Sequence, residues 1–126
     1  MTQRTPLSKV RGLGSAREGT DHFWKQRLTA VSNLILVCIL IWLLVKLAGA
    51  DYATVKKTLA RPQNAIALLL LVLSGVIHMR LGMQTIIEDY VHSEGRKILA
   101  LMLNSFFTIL VGLTCIFAVL KLSFGA

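Results

Sequence analysis

Leu28-Thr29-Ala30-Val31-Ser32-Asn33-Leu34-Ile35-Leu36-Val37-Cys38-Ile39-Leu40-Ile41-Trp42-Leu43-Leu44-Val45-Lys46-Leu47-Ala48-Gly49-Ala50 holds a single formal charge. At about 1.5 Å per helical residue, roughly 20 apolar residues cross the hydrocarbon of a bilayer. The run is therefore long enough to span. Its one charge, Lys46, lies near the far end, where a long apolar stem lets the ammonium reach the interface. Gly49, Ala50 and Asp51 end the run.

Two more stretches of the same kind follow. Asn64–Ile87 is as long, carries one formal charge, Arg80, and also contains His78. Ile98–Leu120 has no charge at all. Helices are expected at about 28–50, 64–88 and 98–121. The expected fold is all-α and integral to the membrane: a basic tail over residues 1–27, then a three-helix transmembrane domain over residues 28–126. The totals agree. Of the 126 residues, 55% are hydrophobic and only 16% charged, and mean hydropathy is +0.67. The charges collect in blocks between the runs, whereas a soluble helical core interleaves polar residues along every helix.

The net charge of +8 does not point to nucleic acid. The basic residues flank apolar spans and form no basic helix face, which is the ordinary topology signal of a membrane protein. Cys38 and Cys115 both fall inside apolar runs and read as small packing residues, without metal-ligand spacing. The N-terminal segment has no cleavage motif after its first apolar run, so a cytoplasmic tail is expected rather than a secretory signal. Its few acids and its Arg and Ser also suit an organelle transit peptide. The tail and the loop 88–97 carry eight Lys and Arg, against five for the loop 51–63 with Lys46 and Lys121. That bias places the N-terminus and the second loop in the cytoplasm and the C-terminus outside. Phe23 and Trp24, before the first span, suit the headgroup level.

The second span holds the costly residues. An Arg at a helix centre costs about 2.5–3.5 kcal/mol on insertion scales. At about 100° per residue, His78 shares a face with Leu71, Ser74, Gly75, Gly82, Thr85 and Asp89. Gly75 and Gly82 leave room about one turn to either side of the imidazole. That room suits a closely packed helix, with His78 hydrogen-bonding across the interface. It equally suits a flat cofactor ligated by His78, since haem iron accepts neutral imidazole. His22 and His92 lie outside the spans, so a second axial histidine would have to come from another chain. Arg80 points to the opposite side. Tyr90 lies beyond His78 by about 18 Å along the helix, at the helical rise per residue. An interface-anchoring tyrosine and a quinone-binding hydroxyl oriented by Asp89 are both compatible with that position.

The stretch His78-Met79-Arg80-Leu81-Gly82-Met83-Gln84-Thr85-Ile86-Ile87-Glu88-Asp89-Tyr90-Val91 resembles the D-type hydrophobic membrane anchor of succinate dehydrogenase, respiratory complex II. Arg27-Leu28-Thr29-Ala30 resembles that family's Arg-x-Thr-Ala stretch. Gly14-Ser15-Ala16 and His22-Phe23-Trp24 are similar to its alphaproteobacterial branch. The resemblance implies that His78 is one axial ligand of haem b, bound to the haem iron, with the other supplied by the C-type, cytochrome b-bearing membrane anchor. It implies that Arg27 pairs with a haem propionate, and that Tyr90, with Asp89 adjacent, forms part of the ubiquinone site. Arg80 departs from many family members, which carry apolar or small residues there. Further implied partners are the iron–sulfur subunit, the flavoprotein subunit and the lipid bilayer, in the bacterial cytoplasmic (inner) membrane. No iron–sulfur ligand set or nucleotide-binding glycine motif is present, so no succinate oxidation is expected from the chain alone. The competing readings are a haem-less structural anchor and a small oligomeric transporter or channel with His78 and Arg80 lining a polar path.

Overall fold

The computed structural model describes residues 5–12 and 18–125; of Ser8, Lys9, Glu18 and Gly19 it describes the backbone only. Gly14-Ser15-Ala16, Arg4 and Arg17 lie outside the described residues. The described chain is helical throughout: α1 (Pro6–Val10), α2 (Glu18–Leu47), α3 (Tyr52–Leu59), α4 (Pro62–Tyr90) and α5 (Glu94–Phe124). Three of these are long and apolar enough to cross a membrane, over Thr20–Leu47, Pro62–Tyr90 and Glu94–Phe124. The expected all-α, three-span architecture is the one observed.

The structure departs most from the sequence reading at two places. The first long helix begins well before Leu28, at Glu18, because Glu18–Arg27 contains no proline and only one glycine, Gly19, to interrupt it. The first loop is not irregular. It contains α3, whose Val55 and Leu59 are half-buried while Tyr52 and Lys57 are exposed. A short amphipathic helix of this kind suits the plane of the membrane interface.

Local chemistry sets the corners. Gly49 adopts φ +80° just past the end of α2, a left-handed conformation that glycine accepts without a Cβ penalty. Pro62 opens α4, where a missing N–H is harmless and a fixed φ is already helical. Asn64 Nδ2 donates to the Thr58 carbonyl at 2.7 Å and pins the α3–α4 corner.

Helix α4 is the middle of the bundle and packs against both α2 and α5, while α3 touches α4 and α5. The α4–α5 contact is built on the stripe Asn104, Thr108 and Gly112, all buried on α5. A Cβ on Gly112 would meet both Val76 methyl carbons at 3.4 Å, so glycine allows this close approach. Asn104 Nδ2 donates to the Arg80 carbonyl at 3.0 Å, and the Thr108 hydroxyl donates back to the Asn104 carbonyl at 2.9 Å. Small residues and interhelical hydrogen bonds hold membrane helices together where lipid removes the hydrophobic drive. Large apolar side chains such as Leu34, Leu110, Leu113 and Phe117 are exposed on the outside, as a lipid or subunit contact requires. Cys38 is exposed on this apolar exterior and Cys115 is half-buried; both are free thiols.

Candidate functional site

The α2–α4 seam is polar towards the start of α2 and apolar beyond it, where Leu36, Leu40 and Leu43 meet Ala67, Leu68 and Leu71. His22, Gln26, Thr29 and Asn33 recur at helical spacing on one face of α2. Three of their atoms, His22 Nε2, Gln26 Oε1 and Asn33 Oδ1, are buried without a protein partner among the described residues. Across the seam, α4 presents Ser74, His78 and Gly82. His78 is half-buried, and its Nδ1 lies 3.1 Å from the Thr29 hydroxyl. The Ser74 hydroxyl donates to the Thr29 carbonyl at 3.3 Å. Among the described residues, Nδ1 carries the only hydrogen bond of the imidazole, and Nε2 carries none.

The two glycines flanking His78 do different things. A Cβ on Gly82 would meet Gln26 Nε2 at 3.4 Å, so Gly82 makes room for α2. A Cβ on Gly75 would meet nothing within 4 Å, so Gly75 leaves open space on the histidine's face. Sequence periodicity offered a close helix and a flat ligand as alternatives for this face. Helix α2 takes the Gly82 end, and the Gly75 end stays open.

Arg80 is exposed on the other side of α4. Its carbonyl is engaged by Asn104, and its guanidinium makes no hydrogen bond or ion pair among the described residues. Arg27 is exposed near the start of α2, with its guanidinium 5.1 Å from the centre of the Phe23 ring. Phe23 in turn meets Trp24 edge-on at 5.8 Å between centroids. No hydrogen bond joins Arg27 to His78 among the described residues.

Tyr90 is the last residue of α4 and is 78% exposed. It lines an open cavity of about 320 Å³ with Val91, His92, Arg96 and Ala100. Asp89 is exposed beside it and is not hydrogen-bonded to the tyrosine among the described residues. The cavity brings in His92 and Arg96, which the sequence placed only in a loop. Their signal was present as two basic groups shortly after Tyr90, but only the turn at Val91–Ser93 folds them towards it. Thr29, Gln26 and Asn33 were missed for a similar reason: their i, i+3, i+7 spacing marks a polar face, but not which helix it meets.

A metal site made of protein ligands alone is not formed: the described residues contain no group of three or more His, Cys, Asp or Glu able to hold an ion. A haem draws four ligands from its porphyrin and needs a single imidazole from this chain. The half-buried His78, its unengaged Nε2 and the open space at Gly75 fit that requirement.

The family model described as succinate dehydrogenase/fumarate reductase transmembrane subunit matches residues 1–112. The chain belongs to that family. It is 35% identical over 120 residues to the succinate dehydrogenase hydrophobic membrane anchor subunit of Rickettsia bellii (strain RML369-C), covering 90% of this chain and 94% of that one. It is 29% identical over 122 residues to the subunit of the same name from Paracoccus denitrificans, covering 97% of this chain and 94% of the other. The succinate dehydrogenase membrane anchor subunit of Reclinomonas americana is 33% identical over 93 residues, covering 69% of this chain and 75% of its own. No solved structure matches the chain. The resemblance read from His78–Val91 and Arg27–Ala30 is thus borne out, including its alphaproteobacterial character, and the chain is a multi-pass membrane protein of the anchor type.

Proposed function

We propose that this chain anchors a succinate:ubiquinone oxidoreductase in the bacterial cytoplasmic membrane, with half of a haem b site and part of a ubiquinone site. The observation that carries the reading is His78, a half-buried imidazole inside a membrane-spanning helix with its Nε2 unengaged among the described residues. An intramembrane ionisable residue marks a functional site by default.

His78 would hold the haem iron through one imidazole nitrogen, with a histidine of the C-type membrane anchor as the second protein ligand. Haem b, when bound, supplies a one-electron redox centre within the membrane. Arg27 turns from Phe23 to neutralise a propionate at the start of α2. Tyr90 donates its hydroxyl hydrogen to a quinone carbonyl in the cavity it shares with His92 and Arg96. Asp89, next to Tyr90 in the chain and exposed, passes protons from the aqueous side. Quinone reduction consumes protons as well as electrons, so a site at the water-facing end of α4 suits the chemistry.

The Lys and Arg bias supports a cytoplasmic position for this end of the bundle. The flavoprotein and iron–sulfur subunits dock there and deliver electrons from succinate. The chain alone carries neither redox group and is a non-catalytic subunit of the respiratory chain and tricarboxylic acid cycle enzyme.

Purification in mild detergent tests the reading. Co-purification of the two dehydrogenase subunits and a second anchor, with a b-type reduced-minus-oxidised spectrum, is the expected result. A homo-oligomer without those subunits and without haem would replace it with the transporter reading.

A further inference from the structure

We propose that Thr29 is a positioning residue for the haem ligand: its hydroxyl accepts the Nδ1 proton of His78 and so presents Nε2 as the ligating atom. The proposal rests on the reading of His78 as an axial ligand. The Thr29 hydroxyl has one proton and three neighbours. Two are backbone carbonyl oxygens, of Lys25 at 2.7 Å and of Gln26 at 3.1 Å, and these only accept. The proposal sends that proton to the closest of the three, the Lys25 carbonyl. Towards His78 Nδ1, at 3.1 Å, the hydroxyl oxygen has only lone pairs to offer. The hydrogen bond then requires the proton on Nδ1, which leaves the lone pair of the neutral ring on Nε2.

The same residue is held from the other side. Ser74 stands one helical turn before His78 on α4 and donates to the Thr29 carbonyl at 3.3 Å. Two α4 side chains one turn apart thus grip one α2 residue, one on its hydroxyl and one on its carbonyl. The contact fixes the height of α2 against α4 as well as the plane of the ring. Histidines that bind metals usually give their second ring nitrogen to such an acceptor, which sets the tautomer and raises ligand basicity. Nothing in the spacing of the sequence showed that Thr29 and His78 meet, since they are 49 positions apart.

Thr29→Val keeps the shape and removes the acceptor, and Thr29→Ser keeps the acceptor. The assay is redox titration and low-temperature electron paramagnetic resonance of haem b in the detergent-purified whole complex, with haem content per complex measured alongside. A less basic imidazole favours reduced iron, so Thr29→Val is expected to raise the midpoint potential, shift the resonance, and weaken haem retention by about 10–100-fold. Thr29→Ser is expected to match the unaltered complex. Thr29→Ala, which only removes atoms, repeats the test if the valine variant does not accumulate. Haem loss from either hydroxyl-free variant, with the serine variant loaded, supports the same conclusion. An unchanged potential, resonance and haem content without the hydroxyl overturns the proposal, and so does a serine variant as impaired as the valine one. His78→Ala in parallel separates the two claims: if haem is bound as before without His78, the ligand reading fails, whatever Thr29 does.

Discussion

At the scale of single residues, three side chains are assigned separable effects. Tyr90 stands at the water-facing end of α4, 78% exposed in an open cavity, so removing its hydroxyl leaves the fold intact. Tyr90→Phe is expected to lower ubiquinone reduction about tenfold, the equivalent of one lost hydrogen bond to a reacting carbonyl. Succinate oxidation with an artificial acceptor, measured on the same membranes, should stay unchanged; equal loss of both activities would mean failed assembly. In the proposed haem site Arg27 acts through charge. A cation beside a propionate favours the reduced haem, so Arg27→Gln is expected to lower the midpoint potential in a redox titration. That is opposite in sign to the effect of Thr29→Val.

At the scale of helices, the glycines of α4 and α5 make distinguishable predictions. Gly112 is buried against Val76, so Gly112→Leu wedges α4 from α5. Overpacking of this kind costs about 1–3 kcal/mol, and the variant is expected to lose the assembled complex on a native gel. Gly75 faces open space within the chain. Gly75→Leu is expected to leave α2, α4 and α5 packed and the complex assembled, but to reduce haem content, because the added side chain fills the space beside His78. The three spans were legible from composition and length, since a long apolar run with at most one charge has few alternatives to a membrane helix. The upstream start of α2 was not, because Glu18–Arg27 is polar and its helicity follows from continuity with the span. Helix α3 was written in Val55 and Leu59 at helical spacing, but so short a helix does not stand out without the neighbours it packs on.

At the scale of the whole molecule, the second long helix is the structural centre and carries the residues of the proposed haem and quinone sites. It touches the other two spans, and it carries His78 and Tyr90 at different depths. His78 was legible because a histidine stands out against an apolar run, and Asp89 and Tyr90 through the family motif that runs on from it. Their partners were not. Which face of α2 meets His78 depends on the register of two helices, and periodicity within one helix holds no information on that. The orientation of the bundle is tested by labelling in intact spheroplasts with a membrane-impermeant thiol reagent. A cysteine at exposed Glu94 should react only after the cells are opened, and one at Gly125 should react from outside. The reverse pattern would put the Tyr90 cavity on the wrong face for soluble dehydrogenase subunits.

The most direct test of the central claim, that His78 on α4 holds haem b, is the reduced-minus-oxidised spectrum of the purified complex with and without His78→Ala. A b-type haem spectrum is predicted in the unaltered complex, and its loss or displacement in the variant, with the subunits still assembled. A variant spectrum identical in shape and amplitude to that of the unaltered complex would contradict the claim.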